Sequence, residues 1–281
     1  MEKIESSPFK VMGVINVSPN SYYKKSIATD YESISKCAKK MEIDGADIVD
    51  IGAVSTAPYL EDIASQYVEE ERVRVAIEAV RHSTSLPISI DTQKAAVAEL
   101  CVDMGVDIIN DVTGLKYDKN MAKVISESRI RLIMGAFNRN DSRTKCGDIQ
   151  ETIKILRTSI GIARENKIRD ENIIVDPSIG FFRKEGKNDF FTKIRNMEWY
   201  ERDLSIISNL DKLGTLLKPV CISVSNKSFI GHVFGLDTKK RLIPSLIFEL
   251  LCFLKGATII RTHNVKQTRL AIKTLEHYPK K

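Results

Sequence analysis

Ile48-Val-Asp-Ile-Gly52 is a short apolar run that stops abruptly, and four others repeat the design. Leu86-Pro-Ile-Ser-Ile90 stops at Asp91, Asp107-Ile-Ile109 at Asn110, Asn172-Ile-Ile-Val175 at Asp176 and Thr258-Ile-Ile260 at Arg261. Such Ile/Val-rich runs, nearly continuous in apolar character, are what strands buried on both faces require. Adding Phe9–Ile15, Ile130–Met134 and Pro219–Ile222 gives eight strand-like runs, with the first beginning at Phe9, the second at Asp47 and the last at Ala257. Amphipathic helical patterns fall between them: 31–43, 64–81, 95–104, 120–126, 149–166, 189–213, 238–255 and 266–277. Gly45, Gly105, Gly214 and Gly256 lie just past four of these helices, where a left-handed C-cap is wanted.

Eight alternating units predict a single (β/α)8 TIM barrel spanning residues 1–281 as one domain. No dinucleotide-binding glycine fingerprint opens the first βα turn, which argues against an open doubly wound sheet. In a barrel the polar strand ends collect at the C-terminal face, where ligands bind. The segments 17–30 and 53–62 are long βα connections on that face and candidate lids.

The chain has 43% hydrophobic and 28% charged residues, ordinary for a globular protein with a sizeable core. Its net charge of +6 is spread along the sequence. No basic block interleaved with aromatics predicts a nucleic-acid partner, whereas an anionic small molecule suits the excess. The five cysteines, Cys37, Cys101, Cys146, Cys221 and Cys252, are odd in number and widely spaced. That pattern argues against a disulfide framework or a zinc site and for a reducing compartment. Neither a signal peptide nor a membrane span is expected, so the predicted location is cytoplasmic.

Asp91, Asn110 and Asp176 come from three strand ends and offer two carboxylates and an amide. Such an array suits a flat heterocycle with an amino-amidine edge, to which one carboxylate accepts two parallel N–H bonds. Helix capping is the competing role for each residue singly. Lys227 follows the seventh run, and Arg261 and His263, two apart, point to one side of an extended chain. With the start of the last helix they make an anion site, and barrels commonly bind phosphate there. Asp50 reads as a structural strand-end residue and Asp111 as turned away from the ligand by alternation. His82, His232 and His277 have no metal-ligand spacing, and Trp199 and Tyr200 read as packing.

Seven stretches, in order, resemble the dihydropteroate synthases: Met12-Gly-Val-Ile-Asn-Val-Ser-Pro19, Gly45 to Gly52 with Ser55-Thr56, Ser89-Ile-Asp-Thr92, Asn110-Asp-Val112, Asp176-Pro-Ser-Ile-Gly-Phe181, Ser225-Asn-Lys-Ser-Phe-Ile-Gly231 and Arg261-Thr-His263. The resemblance implies a transferase that joins 6-hydroxymethyl-7,8-dihydropterin diphosphate to an arylamine and releases pyrophosphate. By the same resemblance, Asp91, Asn110, Asp176 and Lys227 would hold the pterin. Arg261 and His263 would hold the diphosphate and act in catalysis with Lys227, and Asn16 would reach an accompanying Mg2+. Thr56 and Ser225 would belong to the arylamine side, and the family implies a homodimer.

The departures concentrate on that side. Asn20 and Tyr22 to Lys25 replace the family's Asp and its small or acidic followers, Val54-Ser-Thr-Ala57-Pro replaces Glu-Ser-Thr-Arg-Pro, and Asn226 replaces the Arg of a Ser-Arg-Lys triplet. Gly135 stands where a His is usual, and Ser178 where a Gly is. With two guanidinium groups gone, Lys24 and Lys25 would favour a phosphorylated ribofuranosyl-aminobenzene over p-aminobenzoate. A pterin-dependent methyltransferase acting on a corrinoid protein and a non-catalytic pterin-binding barrel are the alternatives.

Overall fold

The computed structural model describes residues 9–18, 28–60, 64–138 and 144–277. Along the chain run β1 (Lys10–Asn16), α1 (Tyr31–Ile43), β2 (Ile48–Gly52), α2 (Gln66–Ser83), β3 (Ile88–Asp91), α3 (Ala95–Asp103), β4 (Ile108–Asp111), α4 (Met121–Ser128), β5 (Arg131–Gly135), α5 (Ile149–Glu165) and β6 (Ile173–Asp176). They are followed by β7 (Phe182–Arg183), β8 (Thr192–Lys193), α6 (Trp199–Ser208), β9 (Cys221–Ile222), α7 (Ser228–Phe234), α8 (Leu242–Leu254), β10 (Ile259–Thr262) and α9 (Val265–Glu276). Eight strands form one parallel sheet in the order β6-β5-β4-β3-β2-β1-β10-β9. A parallel bridge from Val175 to Val220 joins its two ends, so the sheet closes into the expected (β/α)8 barrel.

Two-residue periodicity fills this barrel in layers. Met12, Ile48, Ile108, Ile133, Ile174, Cys221 and Ile259, one from each of seven strands, make an apolar plug separate from the larger core between strands and helices. Two residues further on, the same inward face carries Asp50, Asn110, Gly135, Asp176, Ser223 and Arg261. Register keeps the mouth level, because Asn16 pairs with Gly52, Gly52 with Asp91 and Asp91 with Asn110. Gly135 has no alternative here, since a Cβ would stand 2.1 Å from the Val112 carbonyl oxygen.

Three helices begin on side-chain caps that satisfy otherwise orphaned N–H groups. The Asp30 carboxylate accepts from the Ser33 N–H in a capping box, Ser65 accepts from Val68, and Asp148 accepts from Glu151. Gly45, Gly105 and Gly256 take positive φ after their helices, as expected. Gly214 does not: it lies within a 3-10 segment (Leu210–Leu216), and Leu217 adopts the left-handed turn instead.

Two predicted helices need correction. The 189–213 pattern becomes helical only at Trp199, because residues 182–193 form the small ribbon β7–β8, whose Thr192 and Ile194 amides donate to the carbonyls of Phe181 and Arg183. The 238–255 pattern becomes α-helical only at Leu242, after a 3-10 turn, and the short α7 precedes it.

Arg202 on α6 is fully buried and organises the turn after β6. Its guanidinium donates to the carbonyls of Gly147, Pro177 and Ser178, to Thr152 Oγ1 and to Asp203, and it lies 3.7 Å from the Phe182 ring centroid. These bonds hold Ser178 at φ +57°, a left-handed conformation that usually calls for glycine. Replacing Arg202 by Met should leave the Asp203 carboxylate buried and uncompensated. The expected loss is about 3–5 kcal/mol of stability, read as a lowered urea midpoint with an unaltered m-value.

Candidate active site

The inward polar layer opens into a cavity lined by Asp91, Asn110, Gly135, Asp176, Phe181, Ser223, Lys227 and Arg261. Four residues chosen for one flat ligand, Asp91, Asn110, Asp176 and Lys227, thus surround one space. The cavity is continuous with a wider cleft that shares Asp91, Phe181, Ser223, Lys227 and Arg261 and adds Asn16, Thr56, Ser225, Asn226, Arg183 and His263. Lys24 and Lys25 lie outside the described residues. Asp111 turns outward, its carboxylate accepting from the Thr113 N–H and hydroxyl and from the Leu115 N–H.

Arg261 is the electrostatic centre. Its Nε lies 2.7 Å from Asp50 Oδ2, and its Nη2 lies 2.6 Å from the same oxygen and 3.1 Å from Asp91 Oδ2. Among the described residues Nη1 has no hydrogen-bond acceptor, so that side of the fork is left for a ligand. Asp50, read from the sequence as merely structural, is this arginine's principal partner. Its place two residues after inward-facing Ile48 was the available signal.

Burial is the main cause of each perturbed titration. It pushes the Asp91 carboxyl up against the pull of Arg261, with repulsion from Asp50 and Glu69 adding to the rise. Burial also raises Asp176, opposed by the Ser178 N–H at 2.6 Å and by Lys227. The His263 imidazole is pushed down to about 3 by burial and then by Arg261 and Lys227, so it is neutral at pH 7. Lys227, its ammonium 4.8 Å from the Phe181 ring centroid, is lowered to about 8 by burial and by Arg261, against the pull of Asp176.

Ser225 Oγ serves the end of β10. It accepts from the His263 N–H at 3.2 Å, lies 3.2 Å from His263 Nδ1 and accepts from Asn264 Nδ2 at 3.3 Å. Asn226 sits at φ +56°; its carbonyl accepts from Arg241, while its buried Nδ2 has no hydrogen-bond partner among the described residues.

For a magnesium ion the chain offers little on its own. The described residues contain no cluster of three His, Cys, Asp or Glu side chains. The side chain of Asn16 reaches across β2, since a Cβ on Gly52 would stand 3.2 Å from Asn16 Oδ1. One amide oxygen in a cleft fits an ion that keeps several waters and is otherwise held by substrate oxygens.

The model for pterin binding enzymes matches residues 12–263. The dihydropteroate synthase of Clostridium beijerinckii is 33% identical over 264 residues, covering 94% of this chain and 91% of its own. That of Bacillus subtilis is 34% identical over 269 residues, covering 95% and 87%. The chain belongs to the dihydropteroate synthases. It shares their transferase class and their barrel: a Clostridium difficile dihydropteroate synthase solved in the presence of pteroic acid superposes with a TM-score of 0.81 at 32% identity, covering 97% of both chains.

The β7–β8 ribbon is where sequence reading missed most. Arg183 on β7 lines the cleft although the 189–213 helix pattern gave no hint of a wall there. Its signal was local, a basic residue two positions past Phe181 in the Asp176-to-Phe181 motif.

The depressed Lys227 pKa makes a directional prediction. The folded chain binds fewer protons than the unfolded one between about pH 8 and the ordinary lysine value of 10.5, so stability from this residue rises with pH through that window. The penalty is fully present below pH 8. Lys227→Met should therefore stabilise the ligand-free protein most below pH 8, with the difference shrinking towards pH 10.5, as measured by urea unfolding across that range.

Proposed function

We propose that the chain condenses a dihydropterin diphosphate with an arylamine of the p-aminobenzoate type. The single observation that carries this is the convergence of Asp91, Asn110, Asp176 and Lys227 on one cavity that opens past Arg261 and His263 into a second cleft. Pteroic acid, present with the Clostridium difficile relative, is a pterin joined through a methylene to p-aminobenzoate. Its two halves correspond to the two spaces.

In this reading Asp176 accepts two N–H bonds from the pterin's amino-amidine edge. Asp91, Asn110 and Lys227 take the remaining polar atoms. Arg261 offers its Nη1 donors to the diphosphate, and neutral His263 offers a ring N–H. A magnesium ion held at Asn16 would neutralise charge on the leaving group. The C–O bond to the diphosphate breaks, the amine nitrogen forms the new C–N bond, and the amine proton leaves to solvent. A neutral aniline nitrogen needs no strong base, so the protein's work is to align the partners and stabilise leaving charge.

The methyltransferase alternative loses ground because Arg261 and His263 provide for a diphosphate that methyl transfer lacks. The five free thiols support a reducing, cytoplasmic setting. Among the described residues no helix is long and apolar enough to cross a membrane. Ile243, Ile247, Leu251 and Leu254 are all exposed and recur at helical spacing on α8, which supports a homodimer through that face.

Pyrophosphate release from pterin diphosphate with 4-aminobenzoate tests the activity, and no release with any arylamine would refute it. Asp176→Ala should weaken pterin binding by more than about 1–3 kcal/mol, because two ligand donors are left unpaired; calorimetry with a pterin lacking phosphates reads this. Thorough chelation should abolish turnover and spare that pterin affinity. Ile247→Asp should shift sedimentation from dimer to monomer.

A further inference from the structure

The family's usual arylamine-side guanidinium groups are replaced in this chain by Ala57 and Asn226, yet that side of the cleft is not without one. Arg183 lines it at 9% exposure, together with Thr56, Asn226 and Ser228. The guanidinium is held in place by three contacts. Nη1 donates to the Phe182 carbonyl at 2.8 Å, Nη2 donates to Ser228 Oγ at 2.9 Å, and Cζ lies 4.1 Å from the Trp199 ring centroid. Among the described residues these are its only hydrogen bonds, and no carboxylate lies within ion-pair distance of it. An arginine has five N–H donors, so most of this fork is unspent. Burial of the charge is otherwise costly, and an anion would relieve it.

The ribbon carrying Arg183 is also stitched to the loop that bears the lost arginine. Asn188 Nδ2 donates to the carbonyls of Ala57 and Leu60 at 2.7 and 3.0 Å, and the Lys187 N–H donates to Pro58 at 2.6 Å. Asn226, which also lines the cleft, has a buried Nδ2 with no hydrogen-bond partner among the described residues. A cation with unspent donors and a residue with an orphaned amide donor thus line the same cleft, and both donors lack an acceptor.

Resting on the proposed condensation, we infer that Arg183 is the specificity-determining residue for the second substrate, receiving a carboxylate borne directly on the aromatic ring, with Asn226 Nδ2 as its second donor. The planar fork matches a carboxylate in two parallel bonds. Its rooting between Trp199 and Ser228 gives it little reach, which favours a compact arylamine carboxylate over an amine with a distant phosphate. The guanidinium missing at positions 57 and 226 is supplied from β7.

The test compares kcat/KM for 4-aminobenzoate, its neutral isostere 4-aminobenzamide and an arylamine carrying a ribosyl phosphate, in wild type, Arg183→Gln and Arg183→Lys. Wild type should prefer the benzoate to the amide, and Arg183→Gln should shrink that ratio by about 10- to 100-fold, the range of charge-assisted hydrogen bonds. The loss should appear in the KM for 4-aminobenzoate. Arg183→Lys, which keeps charge but not the fork, should retain part of the preference. An equal loss on both amines in Arg183→Gln overturns the inference while sparing the condensation, and so does a phosphorylated amine that matches or exceeds the benzoate in wild type. Should Arg183→Gln fail to bind pterin by calorimetry, Arg183→Lys decides: a reduced ratio supports the assignment and a wild-type ratio overturns it. Wild type that releases no pyrophosphate with any amine overturns the condensation itself, and the inference with it.

Discussion

The mouth of the barrel is arranged around one partly buried guanidinium. Arg261 leaves β10 and binds Asp50 on β2 and Asp91 on β3, so its guanidinium spans the closed sheet beside β1. Removing either charge type would leave the other desolvated, at a cost of several kcal/mol. The pairing also decides which atoms remain for ligands. With Nε and Nη2 committed, the arginine presents a fixed edge, and Asp91 is held with one oxygen towards that arginine. The ion pairs that cross the barrel mouth therefore also orient its polar lining.

The barrel was legible because its strands are unambiguous. Ile/Val runs ending at Asp91, Asn110, Asp176 and Arg261 predict both element type and the end at which they stop, and the observed strands follow them within a residue or two. The inward set was legible for the same reason, since period two separates Asn110 from Asp111. Where the pattern misled, a tertiary contact had won. Residues 189–198 carry charges and aromatics at spacings compatible with a helix, but the Asn188 side chain and the Thr192 amide are engaged by the second loop and by Phe181. Ser178 was marked as standing at a glycine position, but what holds it there was unreadable, because the bonds come from Arg202, whose role no local pattern announces.

The contrast between the two halves of the site has a physical basis. The proposed pterin-side residues Asp91, Asn110 and Asp176 sit on strand ends fixed by sheet register, beside a Gly135 that tolerates no side chain. The proposed arylamine side is built from loops and a two-stranded ribbon, which exchange residues without disturbing the sheet. A function carried by guanidinium can move from one loop to a neighbouring one so long as the same volume is reached. Position-by-position comparison reads Ala57 and Asn226 as loss, whereas the role inferred for Arg183 makes them a relocation.

The contacts of Arg202 also set an order of events in synthesis. This one side chain binds residues 24, 25, 50 and 55 positions earlier in the chain, and each bond waits for α6 to exist. A nascent chain that has emerged only through Asp176 has the strand but not the turn beyond it. Ser178, once made, has no Arg202 to hold its left-handed turn, so the Asp176 carboxylate lacks its fixed setting until α6 follows. The ligand pocket is thus a late product of translation, and a polypeptide stopped short of residue 202 would carry most of the barrel's strands without a competent binding face.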